Sequence, residues 1–348
     1  MNNTIVIHGT EGISVNTAQM AKACELFGVN NMPVPMLAYG QKNLVGKEIR
    51  HYYFDLARTQ SGYLSEAPIL RQIAPDKIMH HLPVTRIFSF GHCNVQCPYC
   101  KRDCQFIDSQ GRPVVAVDVP LQSLFAMAEA AVARNEIVRF SGGDPVMFPK
   151  ICLAISWYCQ TVHGVKTSIA HNGSGPKWVE KMLPFMDSAA IDLKANPEKM
   201  GSIMGINILS GEGMYRRSLE TQALFSDPVK NPNRAILDVR TPIFGDTTLS
   251  DMLRLAADIT KGDPRLTFWT WRLYKQVQGC DWLVPEKEPV IEMLKQVSEI
   301  FPKHWMGIRA KWNGGGMLYF RGGKVVNSGE RLDTNEVTGS GNFDTCDK

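Results

Sequence analysis

Four cysteines fall within twelve positions of a 348-residue chain: Cys93, Cys97, Cys100 and Cys104, in "GHCNVQCPYCKRDC" (91–104). Thiolates packed this densely suit a metal or a metal cluster. A closed zinc site would use all four, although zinc ligands usually come as two knuckles with a longer loop between them. An electron-transfer iron–sulfur cluster would also use four. The bacterial ferredoxin run, however, opens C-x2-C and carries proline directly after its last cysteine. Here the first gap is three residues and Pro98 lies inside the run. A third reading uses only C-x3-C-x2-C, that is Cys93, Cys97 and Cys100, and leaves Cys104 as an extra thiol.

Other residues able to do chemistry lie downstream. "RFSGGDPVMFP" (139–149) holds Gly142, Gly143 and Asp144, where two glycines permit a close backbone approach that a side chain would block. In isolation it is a Gly-Gly turn capped by Asp before a helix. "IAHNGS" (169–174) offers His171, Asn172 and Gly173, and "AIDLKAN" (190–196) offers Asp192 and Lys194. Asp192 and Lys194 flank Leu193, so on a strand both point to one face. Buried there they need each other or a ligand. "LDVRTPIFGD" (237–246) carries Arg240, whose planar fork suits a carboxylate or ribose oxygens. In "FWTWRLYK" (268–275), alternation sends Trp269 and Trp271 to one face and Phe268, Thr270 and Arg272 to the other. His80 and His81 are adjacent and cannot share a helix face as a metal pair.

These residues must be positioned by regular elements. Strands are predicted over 84–90, 136–142, 165–172, 188–194, 235–243 and 265–272. Helical segments "PLQSLFAMAEAAVARN", "PKICLAISWYCQTVH", "PKWVEKMLPFM", "GMYRRSLETQALFSD" and "TTLSDMLRLAADITKG" lie between them. Such alternation implies a parallel sheet with right-handed crossovers, as a partial or complete βα barrel or a doubly wound sheet. In either, ligands gather at the carboxyl ends of the strands. The cysteines, Gly-Gly-Asp-Pro, His-Asn-Gly-Ser, Asp-Leu-Lys and Arg240 all fall there. Before this region, "TIVIHG" reads as a short strand, "TAQMAKACELFGV" as a helix with Met20, Ala23, Cys24 and Phe27 in one stripe, and "NNMPVPMLAYG" as a proline-rich connection. After it come a helix, "VIEMLKQVSEIF", and a hairpin, "GGGMLYFRGGKVVN", turning at Arg-Gly-Gly-Lys.

The cysteine loop, with Tyr99 just before its third cysteine, resembles the radical SAM superfamily. The resemblance covers roughly residues 84–275. It implies a partial (β/α)6 TIM-like barrel with N- and C-terminal extensions. It also implies a [4Fe–4S] cluster on Cys93, Cys97 and Cys100, and S-adenosylmethionine on the open iron. Reductive cleavage would then give a 5′-deoxyadenosyl radical that abstracts hydrogen from a substrate. Within the superfamily, Gly142-Gly143-Asp144 resembles the signature that holds the methionine amino group, with Asp where Glu is commoner. Asp192-Leu193-Lys194, Asn172-Gly173 and Arg240 resemble positions of glycyl-radical-enzyme activases that contact S-adenosylmethionine. Ala170 and His171 stand where pyruvate formate-lyase activases carry Asp-Thr, which argues against a bound monovalent cation. The resemblance implies a reductant such as flavodoxin or ferredoxin, and a macromolecular substrate protein with a glycine loop. The alternatives are radical modification of RNA or of a peptide or protein side chain, and a non-catalytic electron-transfer or zinc-stabilised binding protein.

Composition sets the frame. Hydrophobic residues make up 44% and charged residues 21%, ordinary for a globular protein. The net charge is +4, but residues 328–348 hold five acids and two bases, so the rest carries +7. That falls short of the clustered basic stripe of a dedicated nucleic-acid binder. No apolar stretch approaches the ~20 residues that span a bilayer, and the N-terminus lacks a signal pattern. The chain is read as cytoplasmic, without membrane contact, and its nine cysteines are not read as a disulfide framework. Cys152 and Cys159, seven apart on one helix face, read as core. The expected organisation is an N-terminal extension (1–83), a core barrel (84–275), a C-terminal helix and hairpin covering it (276–327), and a disordered acidic tail (328–348).

Overall fold

The computed structural model describes residues 10, 12–40, 52–54, 58–59, 85–100, 114–274, 276, 279–309 and 317–326. Cys104, the His80–His81 pair, "TIVIHG" and the acidic tail lie outside them. The strands are β1 (Val34–Gly40), β2 (Tyr52–Phe54), β3 (Arg58–Thr59), β4 (Thr85–Phe90), β5 (Val114–Val119), β6 (Ile137–Gly142), β7 (Thr167–His171), β8 (Met186–Asp192), β9 (Ile236–Ile243), β10 (Thr267–Leu273), β11 (Trp305–Arg309), β12 (Met317–Arg321) and β13 (Lys324–Val326). The helices are α1 (Thr17–Phe27), α2 (Leu121–Ala133), α3 (Pro149–His163), α4 (Pro176–Met182), α5 (Pro197–Met204), α6 (Ile208–Ser226), α7 (Leu249–Ile259) and α8 (Lys287–Ile300).

All six predicted core strands form. They lie in the spatial order β4-β6-β7-β8-β9-β10, followed by β11, and every step in that run is parallel. Each crossover moves one place in the same direction. Right-handed connections then put every crossover helix on one face, as in a βα barrel. A doubly wound sheet needs a reversal of order, and there is none. The described strands form an open sheet ending at β2 and β13.

Burial separates the two faces. Phe88, Phe90, Phe140, Ile169, Ile191, Leu237, Val239, Trp269, Trp271, Met306 and Phe320 join one core cluster with Leu124, Phe125, Cys152, Ile155, Cys159 and Leu255 of the helices. Trp269 and Trp271 are therefore core, as are Cys152 and Cys159. The alternate residues Ile87, Ala190, Ile236, Phe268 and Trp305 are buried too, but outside that cluster, on the face turned away from the described helices.

The flanks differ from the sequence reading in places. Val34–Gly40 is a strand, not a connection. Pro35 is tolerated because its carbonyl, accepting from Gly91 N at 2.8 Å, faces β4. β1 meets β4 through the single pair Met36–Phe90, so the missing N–H disrupts no ladder. The full ladder runs to β5 on the other side. Helix α6 starts at Ile208, five residues before the predicted segment. Asn207 caps it, accepting from Ser210 N at 2.8 Å. The glycine that blurs its pattern, Gly211, lets α6 press on α5: a Cβ there would lie 2.3 Å from Gly201 N. Strands β2, β3, β5 and β11 and helix α5 were not anticipated. The hairpin β12–β13 turns at Gly322 and Gly323, both at positive φ, the conformation of a type I′ turn.

At the amino ends of the strands, Arg86 and Glu136 form a buried bidentate pair, with Nε–Oε2 at 2.7 Å and Nη2–Oε1 at 2.8 Å. Removing one partner strands the other charge. Glu136→Ala should cost about 3–5 kcal/mol in urea unfolding. Arg86→Met with Glu136→Leu should recover most of that loss. Equal loss in the single and double variants would refute the account.

Candidate functional site

The cysteine loop leaves β4 after Phe90, and backbone contacts hold its root. Gly143 N donates to Phe90 O, and Asp144 N donates to His92 O, both at 2.7 Å. A Cβ on Gly142, which has φ +104°, would lie 2.1 Å from Phe90 N. One on Gly143 would lie 2.2 Å from His92 O. The two glycines thus seat the loop against the end of β6. Further along, Gln96 N donates to Met204 O at 3.0 Å, and Cys100 N to Cys97 O at 3.0 Å. Cys93 is exposed, and Cys97 and Cys100 are partly buried; all three are free thiols.

Polar groups flank the loop on both sides. On the first side, Asp144 is 2% exposed and fully engaged. Its Oδ1 accepts from Val146 N at 2.9 Å and its Oδ2 from Asn172 N at 2.8 Å. Asn172 donates through Nδ2 to Asn94 Oδ1 at 2.6 Å, and Asn94 donates to Ser174 Oγ at 3.0 Å. Desolvation and, after it, the Asp144 carboxylate push the Cys93 thiol up to about 12. His171 lies on the helix side, edge-on to Trp178 at 5.4 Å between centroids. Its Nδ1 accepts from Gly173 N at 3.2 Å and lies 3.6 Å from Asp144 Oδ1. This enclosed histidine faces the described helices.

On the second side, Asp192 ends β8 beside Arg240 of β9. Lys194 Nζ donates to Asp192 Oδ2 at 2.7 Å and lies 5.6 Å from the Tyr99 ring centroid. Burial opposes the Lys194 charge, but Asp192, Tyr99 and Cys97 outweigh it and hold the ammonium well above its ordinary pKa. Burial would likewise raise Asp192, yet Lys194, Arg240 and Arg272 hold it below the usual carboxylate range. Burial pushes the Cys97 thiol up, against the pull of Lys194. The Asp192 side chain is nonetheless 32% exposed and that of Lys194 11%. This ion pair can therefore meet a ligand. Arg240 Nε donates to Asp238 Oδ2 at 2.5 Å.

Cys93, Cys97, Tyr99, Cys100, Gly142, Gly143, Asp144, Asn172, Asp192, Lys194 and Arg240 lie at the carboxyl ends of the strands or in the loops after them, whereas His171 turns toward the helices and Cys104 lies outside the described residues. The cysteine loop sits between the Asp144–Asn172 group and the Asp192–Lys194–Arg240 group. Several partners were missed. Asn94 is hidden inside the cysteine motif. Asp238 is visible only as the alternate neighbour of Arg240. Phe244, Tyr274 and Trp282, which surround Tyr99 at 5.2, 6.3 and 5.5 Å between centroids, come from the segments after β9 and β10, far from Tyr99 in sequence.

Among the described residues, no group of three or more His, Cys, Asp or Glu side chains is gathered as a single metal ion requires. The donor set fits an iron–sulfur cluster: three thiols on one loop within electrostatic reach of each other, with an ammonium beside one of them. In a cluster each thiolate meets a different iron, so its ligands stand further apart than around one ion.

The sequence matches no protein-family model and no curated protein. Three solved structures resemble the fold. A radical SAM methyltransferase from Sphaerobacter thermophilus is 12% identical over 65% of this chain and 65% of its own, with TM-score 0.46. SuiB from Streptococcus suis, bound to S-adenosylmethionine, is 13% identical over 66% of this chain and 47% of its own, with TM-score 0.37. TYW1 with a lysine-pyruvate adduct is 12% identical over 77% of this chain and 90% of its own, with TM-score 0.42. The chain thus spans less than two thirds of the length of the first two.

The glycine corner makes a stability prediction. Gly142→Ala and Gly143→Ala should each cost at least about 2–4 kcal/mol, because the methyl meets backbone that cannot rotate away. Gly164→Ala, at φ +68° with open space around it, should cost only the left-handed strain of ~1–2 kcal/mol. Urea midpoints of the three variants test this, and similar losses at all three would contradict it.

Proposed function

We propose that the chain is a radical SAM enzyme. One observation carries the reading. A C-x3-C-x2-C loop leaves the first strand of a parallel βα sheet, is clamped by a Gly-Gly-Asp corner on the second, and faces an Asp–Lys pair on the fourth. Cys93, Cys97 and Cys100 are assigned to a [4Fe–4S] cluster, which when bound to S-adenosylmethionine supplies the electron that cleaves the sulfonium to a 5′-deoxyadenosyl radical able to abstract hydrogen.

The remaining roles fall to this chain's own groups. Gly142 and Gly143 keep the backbone bare beside the cysteines. Asp144 is a buried anchor: with both oxygens engaged, it fixes the Asn172 and Val146 backbone around the site. Asp192, held ionised, accepts from amino or hydroxyl groups. Lys194 and Arg240 supply positive charge for a carboxylate or ribose oxygens. Tyr99 packs against Phe244, Tyr274 and Trp282, placing an apolar wall beside Lys194.

Within that class we assign the role of a glycyl-radical-enzyme activase, supported by the Gly-Gly-Asp-Pro and Asp-Leu-Lys motifs. The sheet, open among its described strands, leaves room for a protein substrate. The assignment carries with it a flavodoxin or ferredoxin reductant and a cytoplasmic setting. No helix among the described residues is long and apolar enough to cross a membrane.

The test is anaerobic reconstitution with iron and sulfide, reduction, addition of S-adenosylmethionine and chromatography for 5′-deoxyadenosine. Wild type should produce it. Cys93→Ala, Cys97→Ala and Cys100→Ala should lose both iron and product, by more than about 100-fold, whereas Cys104→Ala should keep both. A loaded cluster without product, or iron lost on Cys104→Ala, would favour a closed four-cysteine site and electron transfer or structural metal instead.

A further inference from the structure

Asn94, next to Cys93 in the cysteine loop, reaches the turn after β7 with both ends of its side-chain amide. Asn172 Nδ2 donates to Asn94 Oδ1 at 2.6 Å, and Asn94 Nδ2 donates to Ser174 Oγ at 3.0 Å. Ser174 N donates in turn to Asn172 Oδ1 at 3.1 Å, which closes a ring of three hydrogen bonds. The ring leaves no choice of amide orientation. A backbone N–H can only donate, so it fixes the Asn172 oxygen. The Asn172 NH2 then needs an acceptor, which fixes the Asn94 oxygen. Asn172 is 4% exposed, so a donor left unmatched there is costly.

The residues around Cys93 are each tied to a different element. His92 O accepts from Asp144 N at the end of β6, and Gln96 N donates to Met204 O at the end of α5. Val95 is buried in the main core. Cys93 itself is exposed, and the backbone N–H of Val95 is hydrogen-bonded to its sulfur. Such a contact, from the backbone of one residue to a side chain two positions earlier, turns on the backbone of the residue between them. Here that residue is Asn94, and its amide bracket fixes it. Hydrogen bonds to the sulfurs are among the terms that set the reduction potential of an iron–sulfur cluster, because they stabilise the more negative, reduced state. Partners one step removed from a metal ligand commonly act in this way.

We propose that Asn94 is a positioning residue for the cluster ligand Cys93: its bracket onto Asn172 and Ser174 keeps the Val95 N–H aimed at the Cys93 sulfur and so raises the reduction potential of the cluster. The inference rests on the radical SAM reading, which assigns a cluster to Cys93, Cys97 and Cys100. It adds a residue whose side chain touches neither iron nor S-adenosylmethionine in that reading and acts through Cys93 alone.

The test uses the full chain in two states. In the cluster-free chain, amide hydrogen exchange over residues 91–97, read by mass spectrometry, should be at least about tenfold faster in Asn94→Ala than in wild type. Asn94→Asp keeps an acceptor for Asn172 and offers its second oxygen to the Ser174 hydroxyl, so it should exchange as wild type does. After anaerobic reconstitution, a redox titration followed by electron paramagnetic resonance should give the Asn94→Ala cluster a lower midpoint potential, with the reduced form disfavoured at least about threefold. Ser174→Ala removes one of the two amide contacts and should move both readouts the same way by less; it decides alone if Asn94→Ala does not fold. Unchanged exchange in the variants, or a potential that stays the same or rises, refutes the proposal, since a merely structural residue would loosen the loop without lowering the potential. A wild-type chain that takes up no iron overturns the radical SAM reading and this inference with it, whereas a loaded Asn94→Ala cluster at the wild-type potential overturns this inference alone.

Discussion

The whole molecule depends on one constraint: successive side chains of a strand must face opposite ways. In the run from β4 to β11, one set of alternate positions is mostly apolar, and its apolar members join the helices in a single core. The other set carries serines, alanines, Asp238, Arg240, Thr270 and Phe268. A single-residue slip would drive Arg240 and Asp238 into the helices and expose Leu237 and Val239. The apolar set therefore fixes the register, and the register in turn brings Asp192 beside Arg240 and Ser89 beside Ser141. The functional face is a consequence of the packing face.

The rim adds a second physical theme, charge held against desolvation. Asp192 and Lys194 would each lose their charge if buried alone. Placed together, with Arg240 and Arg272 near, both keep it. The pair stays accessible while the carboxylate of Asp144 is consumed by backbone N–H groups. Two acids at the ends of β6 and β8, with β7 between them, thus do different work: Asp144 builds the site, and Asp192 can meet a ligand. Asp238, deeper and held by Arg240, is a third case.

Much of this was legible in the residues. The six core strands, the helices between them and the convergence of the cysteines, Gly142, Gly143, Asp144, Asn172, Asp192, Lys194 and Arg240 on one rim follow from periodicity and the parallel-sheet rule. The hairpin turn follows from its two glycines. The exceptions have local causes. β1 was hidden by Pro35, whose missing N–H is harmless only because of where β4 happens to lie. α5 and the start of α6 were hidden by Gly201 and Gly211, which reduce helix propensity but allow two helix backbones to touch.

The sequence by itself determined which atoms are available: three thiols at fixed spacing, two bare glycines and an alternating acid and base, because these depend on neighbours along the chain. Tertiary structure alone decided partnership. That Asp144 is spent on Asn172, that Asn94 braces the cysteine loop, that His171 turns toward the helices and that Arg240 holds Asp238 all depend on which strands lie side by side. Sequence spacing sets a side chain's direction, whereas its hydrogen bonds and its charge state depend on groups 50 or 80 positions away, brought near only by the closed packing of the helices on the sheet.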